Sequence, residues 1–451
     1  MNSSLKSKLL RNVGANAYGQ LITIAIQLVS VPLYLHFWGV EVYGEWLILS
    51  AIPAYLALSD VGFASVAAND MTMRVAQGDR RGALEVYQSI WLFISGVSLL
   101  VGALLAVAIS VAPINSTLSI SHISAPQTRQ VLMVLVLYVL VGLQGGVLSA
   151  AYRAAGRYAA GTAIANTIRL AEWLAAMLAL AMGGGVLPIA VATLVTRLAG
   201  MLLMWNALRK QEQWLYLGSQ AATIKQVRNL LKPAVAFMAF PLGLALSLQG
   251  MVLIIGMTLG PAAVVIFSAY RTLTRLLVQV ITMINQAFWP EISVAYAAQQ
   301  ITLVRDLHRK SSCITFWLAL SAVTMIGLLG DWFVGIWTHH AFEQNQVLLI
   351  LLLSATFLNV LWQTSWVVLM ATNRHEKISV IFIASAIASI LLTLIVAPIF
   401  GINGAGIVLV AAELPLLFYV TASAISFINE NWTTYLKAVT GNPFRNKARL
   451  L

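Results

Sequence analysis

Four arginines, Arg169, Arg197, Arg271 and Arg275, fall inside stretches that are otherwise apolar enough to cross a membrane. An arginine at the centre of a bilayer costs about 2.5–3.5 kcal/mol on insertion scales, so it normally faces a water-filled cavity or a partner. Guanidinium is also the side chain best shaped to hold phosphate, through two parallel charge-assisted hydrogen bonds. Together these facts point to a cationic cavity within a membrane protein and to an anionic, phosphorylated cargo.

The spacing around these arginines places them on polar stripes. Arg271, Arg275, Gln279, Thr282 and Gln286 follow helical steps and share one face. Such a stripe either lines a cavity or packs, hydrogen-bonded, against other helices. Asn12, Asn16, Gln20, Thr23, Gln27, Ser30 and Tyr34 repeat the pattern without charge. Amides and hydroxyls there suit sugar hydroxyls or water; they equally suit bonds between helices, worth about 0.6–2 kcal/mol each. Thr162, Asn166, Arg169 and Glu172 form a third stripe, in which Arg169 and Glu172 lie three apart and can neutralise each other. Alternatively an anionic head group takes the arginine and frees the carboxylate for a proton. Arg197 either pairs with Glu172 across helices or faces cargo.

Asp60, Glu172 and Glu413 are the carboxylates inside apolar stretches. Intramembrane acids are default candidates for proton or sodium coupling, although Asp60, close to a span end, equally suits a helix-end contact. Cys313 is the single cysteine, and the adjacent His339 and His340 have no third ligand in view, so neither a metal site nor any other cofactor is expected.

The elements that hold these residues follow from composition. Of 451 residues 60% are hydrophobic and 9% charged, far too little charge to cover a soluble protein of this size. Apolar runs long enough to cross about 30 Å of hydrocarbon recur throughout. The expectation is an all-α polytopic membrane protein with twelve spans: 12–36, 44–67, 89–113, 130–152, 158–183, 186–208, 233–258, 262–288, 311–337, 346–371, 378–399 and 403–428. The apolar stretch after Lys6, Lys8 and Arg11 is read as the first span, not a cleaved leader. Placing the N-terminus in the cytoplasm puts every Lys and Arg outside the spans, except Arg129, on the inner side. Both termini are then cytoplasmic. The net charge of +12 reflects topology and contact with anionic lipid, not nucleic-acid binding. No inter-span stretch would hold an enzymatic domain and no G-x-x-x-x-G-K-[ST] loop occurs, which argues against an ATP-driven pump.

The chain also echoes itself. Trp38-Gly39-Val40 matches Leu259-Gly260-Pro261, and Ala154-Ala155-Gly156-Arg157 matches Ala371-Thr372-Asn373-Arg374. Asp70 to Arg74 and Glu291 to Ser293 open polar segments expected to form amphipathic helices at the inner surface. Six spans per half make parallel repeats, with cargo at their interface around a central cavity. The expected division is a first six-helix lobe over 1–208, a cytoplasmic linker over 209–232 that suits a surface helix, a second lobe over 233–428 and a basic tail over 429–451.

The opening turn Phe37-Trp38-Gly39 through Tyr43-Gly44-Glu45-Trp46 resembles the polysaccharide-transport and O-antigen flippase branch of the multidrug/oligosaccharidyl-lipid/polysaccharide exporter superfamily. Ser59-Asp60-Val61-Gly62-Phe63, Gln77-Gly78-Asp79 and Ala154-Ala155-Gly156-Arg157 are similar to that branch too. The likeness is stronger in the first half. It implies two six-helix lobes around a cationic cavity and movement of an undecaprenyl-diphosphate-linked oligosaccharide from the inner to the outer leaflet of the bacterial cytoplasmic membrane by alternating access. On that expectation Arg271, Arg275, Arg197 and Arg169 hold the diphosphate, and Gln279, Asn16, Gln20 and Gln27 contribute polar contacts. Membrane lipids are expected neighbours, with glycan polymerase and assembly enzymes as further candidates. A lipid II flippase, a drug exporter of the same superfamily or a non-transporting scaffold for glycan assembly are the alternatives.

Overall fold

The computed structural model describes residues 3–57, 60–372 and 376–442, and among these the side chains of all but 3–9, 54–57, 60, 61, 232, 233, 235–237, 239, 240 and 376. Asp60 and Arg374 therefore lie outside the described side chains, as do the tail residues Arg445, Lys447 and Arg449. Every regular element is helical among the described residues: α1 (Ser3–Ala57), α2 (Asp60–Ala76), α3 (Arg80–Val111), α4 (Ile114–Thr117), α5 (Ala125–Ala154), α6 (Tyr158–Ala181) and α7 (Val186–Gln211). Then come α8 (Ile224–Ala245), a π-helical turn (Leu246–Gly250), α9 (Met251–Leu259), α10 (Pro261–Ala297), α11 (Ile301–Trp337), α12 (Gln346–Ala371), α13 (Glu376–Phe427) and α14 (Trp432–Val439).

Ten helical stretches are long and apolar enough to cross a membrane. Two of them, Leu10–Pro53 (44 residues) and Lys377–Phe427 (51 residues), are too long for one crossing. Each is broken by a glycine with positive φ, Gly39 (69°) and Gly401 (60°), a conformation that costs a side chain bearing Cβ and that turns the chain without a loop. Counting each broken stretch as two passes recovers the twelve expected spans.

The reversals also repeat. Positive φ occurs at Gly39 and Gly260, at Gly78 and Gln299, at Ser119 and His340, and at Gly183 and Gly401. Each pair is about 220 residues apart, the signature of parallel six-span repeats. Backbone conformation thus carries the duplication more clearly than the side chains do.

Two surface expectations need correcting. The polar segments after Asp70 and Glu291 are not separate amphipathic helices. They are the ends of α2 and α10, and the following α3 and α11 already begin at Arg80 and Ile301. Nor is 209–232 a linker helix. Helix α7 ends at Gln211, residues 212–223 are irregular, and α8 starts at Ile224. Specific bonds replace helix there: the Gln88 side chain donates to Tyr216 O (3.2 Å) and accepts from Ala221 N (2.8 Å), while Arg157 pairs with Glu212 (2.9 Å).

Two compact units result, Met1–Pro261 and Ala262–Leu451. In the first, α2, α3, α5, α7 and α8 close around a core of Phe63, Met71, Tyr87, Ile90, Val147 and Tyr152. The chain from α8 to α9 therefore packs with the six spans before it. In the second, α12 packs on α11 and α13, and Leu277 and Ile281 of α10 join Ala319 and Val360 in a smaller core.

Candidate functional site: a buried ion pair beside a cavity

Helices α6 and α7 lie against each other and bring Glu172 and Arg197 together. Arg197 donates from Nε to Glu172 Oε1 (2.7 Å) and from Nη2 to Oε2 (3.0 Å), a two-pronged pair. Glu172 is only 3% exposed, and its Oε2 also accepts from the Tyr138 hydroxyl of α5 (2.9 Å). The guanidinium lies 3.8 Å from the centre of the Tyr138 ring. Gly142, one turn after Tyr138, makes room for it, since a Cβ there would sit 2.5 Å from Arg197 Nη1. A cavity of about 410 Å³ opens beside the pair. Trp46, Ser50, Tyr138, Thr193 and Arg197 form its polar and aromatic lining, and Pro53, Leu135, Val139 and Leu143 its aliphatic wall.

Of the two partners open to Arg197 in the sequence, Glu172 is the one it takes. Arg169 turns instead to α1, donating to Gly19 O (3.3 Å) and to the Thr23 hydroxyl. The first-span stripe is knitted to α6 in the same way. Tyr158 donates to Asn16 (3.0 Å), Asn166 to Ala15 O (3.4 Å), and Trp173 Nε1 to Ser30 (2.8 Å). Gln20 and Gln27 are engaged as well. This stripe therefore joins helices along much of its length.

In the second unit Arg271 and Arg275 stand one turn apart on α10. The Arg271 guanidinium lies 5.0 Å from the Phe267 ring centre, and Gln279, one turn beyond Arg275, is engaged too. Arg275 shows no hydrogen bond or ion pair among the described residues. Glu413 of α13 is held from α12: Trp362 Nε1 donates to Oε2 (2.6 Å), and Asn359 Nδ2 reaches both oxygens (3.2 Å). Gln363 in turn donates to Asn359 Oδ1 (2.7 Å). Among the described residues no cluster of His, Cys, Asp and Glu could hold a metal ion.

Sequence reasoning missed Tyr138, Gly142, Asn359 and Trp362, which carry no spacing signal of their own. It also passed over Glu45 as chemistry. Fully buried, Glu45 accepts the backbone N–H groups of Ser121 (2.6 Å), His122 (2.7 Å) and Ile123 (2.8 Å), so it anchors the connection before α5. The acid in Tyr43-Gly44-Glu45-Trp46 thus has a structural task, while the tryptophan next to it faces the cavity.

Over nearly the whole chain the structure superposes on solved transporters. An inward-facing multidrug resistance MATE family transporter of the MOP superfamily matches with a TM-score of 0.76, over 93% of this chain and 96% of that one, at 14% identity. Lipid II flippase MurJ in an inward closed conformation matches with a TM-score of 0.71, over 94% and 89%, at 11% identity. The fold is that of the MATE and MurJ transporters. The chain is accordingly a multi-pass membrane protein. Its sequence is also similar to a putative O-antigen transporter of Escherichia coli (strain K12), 26% identical over 218 residues. That match covers 48% of this chain and 51% of the relative, so it spans about half the relative's length. No family profile matches the sequence. The resemblance to the polysaccharide-transport branch is borne out by these likenesses together.

Proposed function

We propose that the chain is a flippase that moves an undecaprenyl-diphosphate-linked oligosaccharide across the bacterial cytoplasmic membrane by alternating access. The observation that carries this reading is the Arg271–Arg275 pair on one face of an apolar helix, a cationic site suited to a diphosphate. The sequence likeness to a putative O-antigen transporter supports the glycan. Arg271 and Arg275 bind the diphosphate, with Gln279 beside them. Arg169 already donates to Gly19 O and Thr23, and a phosphate reaches Arg197 only in competition with Glu172. Both termini lie in the cytoplasm, where the basic segments meet anionic lipid. Ion coupling through Glu172, Glu413 or Asp60 belongs to the same proposal. Moving one charge through about 100 mV is worth about 2.3 kcal/mol, so outward movement of an anionic head group gains from the field.

The fold likeness to lipid II flippase MurJ favours one second reading, a lipid II cargo with the same kind of anionic head group. The test is flipping in proteoliposomes of undecaprenyl-diphosphate linked either to a surface-polysaccharide repeat unit or to the lipid II head group. Selective transport of the first, lost in Arg271→Ala/Arg275→Ala, is the expected result. Selective transport of the second moves the assignment to lipid II. Transport of neither, under an imposed potential or ion gradient, sinks both.

A further inference from the structure

We propose that the cavity beside the Glu172–Arg197 pair is a neutral-sugar site, not a phosphate site. Three features of the first unit lead there. Among the described residues that line the cavity the cation is Arg197, and Glu172 behind it at 2.7 Å offsets the charge that would attract phosphate. A phosphate approaching that guanidinium would also meet the Glu172 carboxylate across a few ångströms, in a region that screens charge poorly.

The lining chemistry is the second feature. Trp46 offers aromatic surface, an apolar face with a polar handle at the edge, while Tyr138 carries the Arg197 guanidinium over its ring. The C–H face of a sugar ring packs on such a surface. Around it stand groups that bond hydroxyls. Arg197 has five N–H donors, of which the contacts to Glu172 use two. Ser50 and Thr193 donate to Leu47 O (3.1 Å) and Ala190 O (2.8 Å), which leaves their oxygens as acceptors for a hydroxyl proton. A prenyl chain in the same place would leave the remaining arginine donors without partners, a cost that hydroxyls avoid.

Size is the third feature. At about 410 Å³ the cavity falls within the range of ordinary small-molecule sites and takes a sugar ring with its substituents. Gly142 matters here because a Cβ at that position would crowd the Arg197 guanidinium out of its place in the cavity wall. In the transport cycle the site would receive a sugar of the glycan while the diphosphate is held elsewhere. This part rests on the flippase reading; the cavity's preference for sugar does not.

Saturation-transfer NMR on the full chain in nanodiscs tests it, with free hexoses, N-acetylhexosamines, inorganic pyrophosphate and farnesol as separate probes. The expected result is binding of at least one neutral sugar, about tenfold weaker in Trp46→Ala and retained in Trp46→Phe. Flipping of the lipid-linked glycan is measured on the same variants, and Trp46→Ala is expected to raise KM about tenfold. Because free sugars can bind weakly, the proposal falls if neither sugar binding nor KM responds to Trp46→Ala in protein with a normal unfolding temperature. It also falls if pyrophosphate or farnesol, and no sugar, binds in a Trp46-dependent way. Sugar binding without glycan flipping would keep the site and overturn the flippase. Flipping with neither KM nor sugar binding responding to Trp46→Ala would do the reverse.

Discussion

The two units of this chain handle intramembrane charge in opposite ways. In the first, Arg197 and Glu172 meet face to face and Tyr138 completes the carboxylate's bonds. In the second, Glu413 is held by neutral donors from α12, Trp362 and Asn359, while two arginines share one face of α10. A neutralised pair is worth its packing and its directionality; it offers little attraction to an anion. Two like charges one turn apart repel each other, so the α10 face carries a local electrostatic cost that the paired carboxylate and guanidinium of the first unit avoid. The two carboxylates are thus held by different chemistry, a cation in one unit and neutral donors in the other.

Substitutions can break this contrast, and the largest effect is expected at the buried pair. Glu172→Ala leaves Arg197 without its carboxylate, and loss of one partner of a buried pair costs about 3–5 kcal/mol. Thermal unfolding in detergent should show it, and the double change Glu172→Leu/Arg197→Met should recover much of the loss. If the double variant is no better than the single one, the pair is not the compensated unit described above.

Arg275→Ala should do the reverse. Stability is expected to hold, because a charge leaves the membrane region, while transport falls about 10–100-fold from lost charge-assisted bonds worth about 1.5–3 kcal/mol. A large drop in unfolding temperature with normal transport would make α10 the structural partner and undo the comparison.

Trp362→Phe removes one donor from Glu413 and should cost about 1–3 kcal/mol, again read by thermal unfolding. An effect much smaller than that would mean that Asn359 alone satisfies the carboxylate. The smallest change is expected at Asn16→Ala, about 0.6 kcal/mol, the usual worth of one bond between membrane helices. Transport should be normal in that variant; a strong transport defect at unchanged stability would return the first-span stripe to the cargo path.

The spans were legible because an apolar run long enough to cross a membrane is a property of a single segment. The polar stripes were legible for the same reason, since 3.6-residue spacing is local. What lines up across helices was not. The step of three between Arg169 and Glu172 suggested a pair, yet tertiary packing gives Glu172 to Arg197 and Arg169 to Thr23. Gly142 gave no signal, as a helical glycine shows its purpose only when the Arg197 guanidinium is placed against it. The linker misled for a related reason. Its charged, helix-forming residues suit a helix, but bonds to Gln88, Ser89 and Arg157 hold 212–223 in an irregular path that propensity cannot foresee.

One backbone feature ties crossings together in pairs. Gly39 and Gly401 each join two crossings with a single residue in the turning conformation. Each pair of crossings is thus a tight helical hairpin whose two arms share a single hinge residue. A residue that cannot adopt the turn at either position would displace two crossings at once.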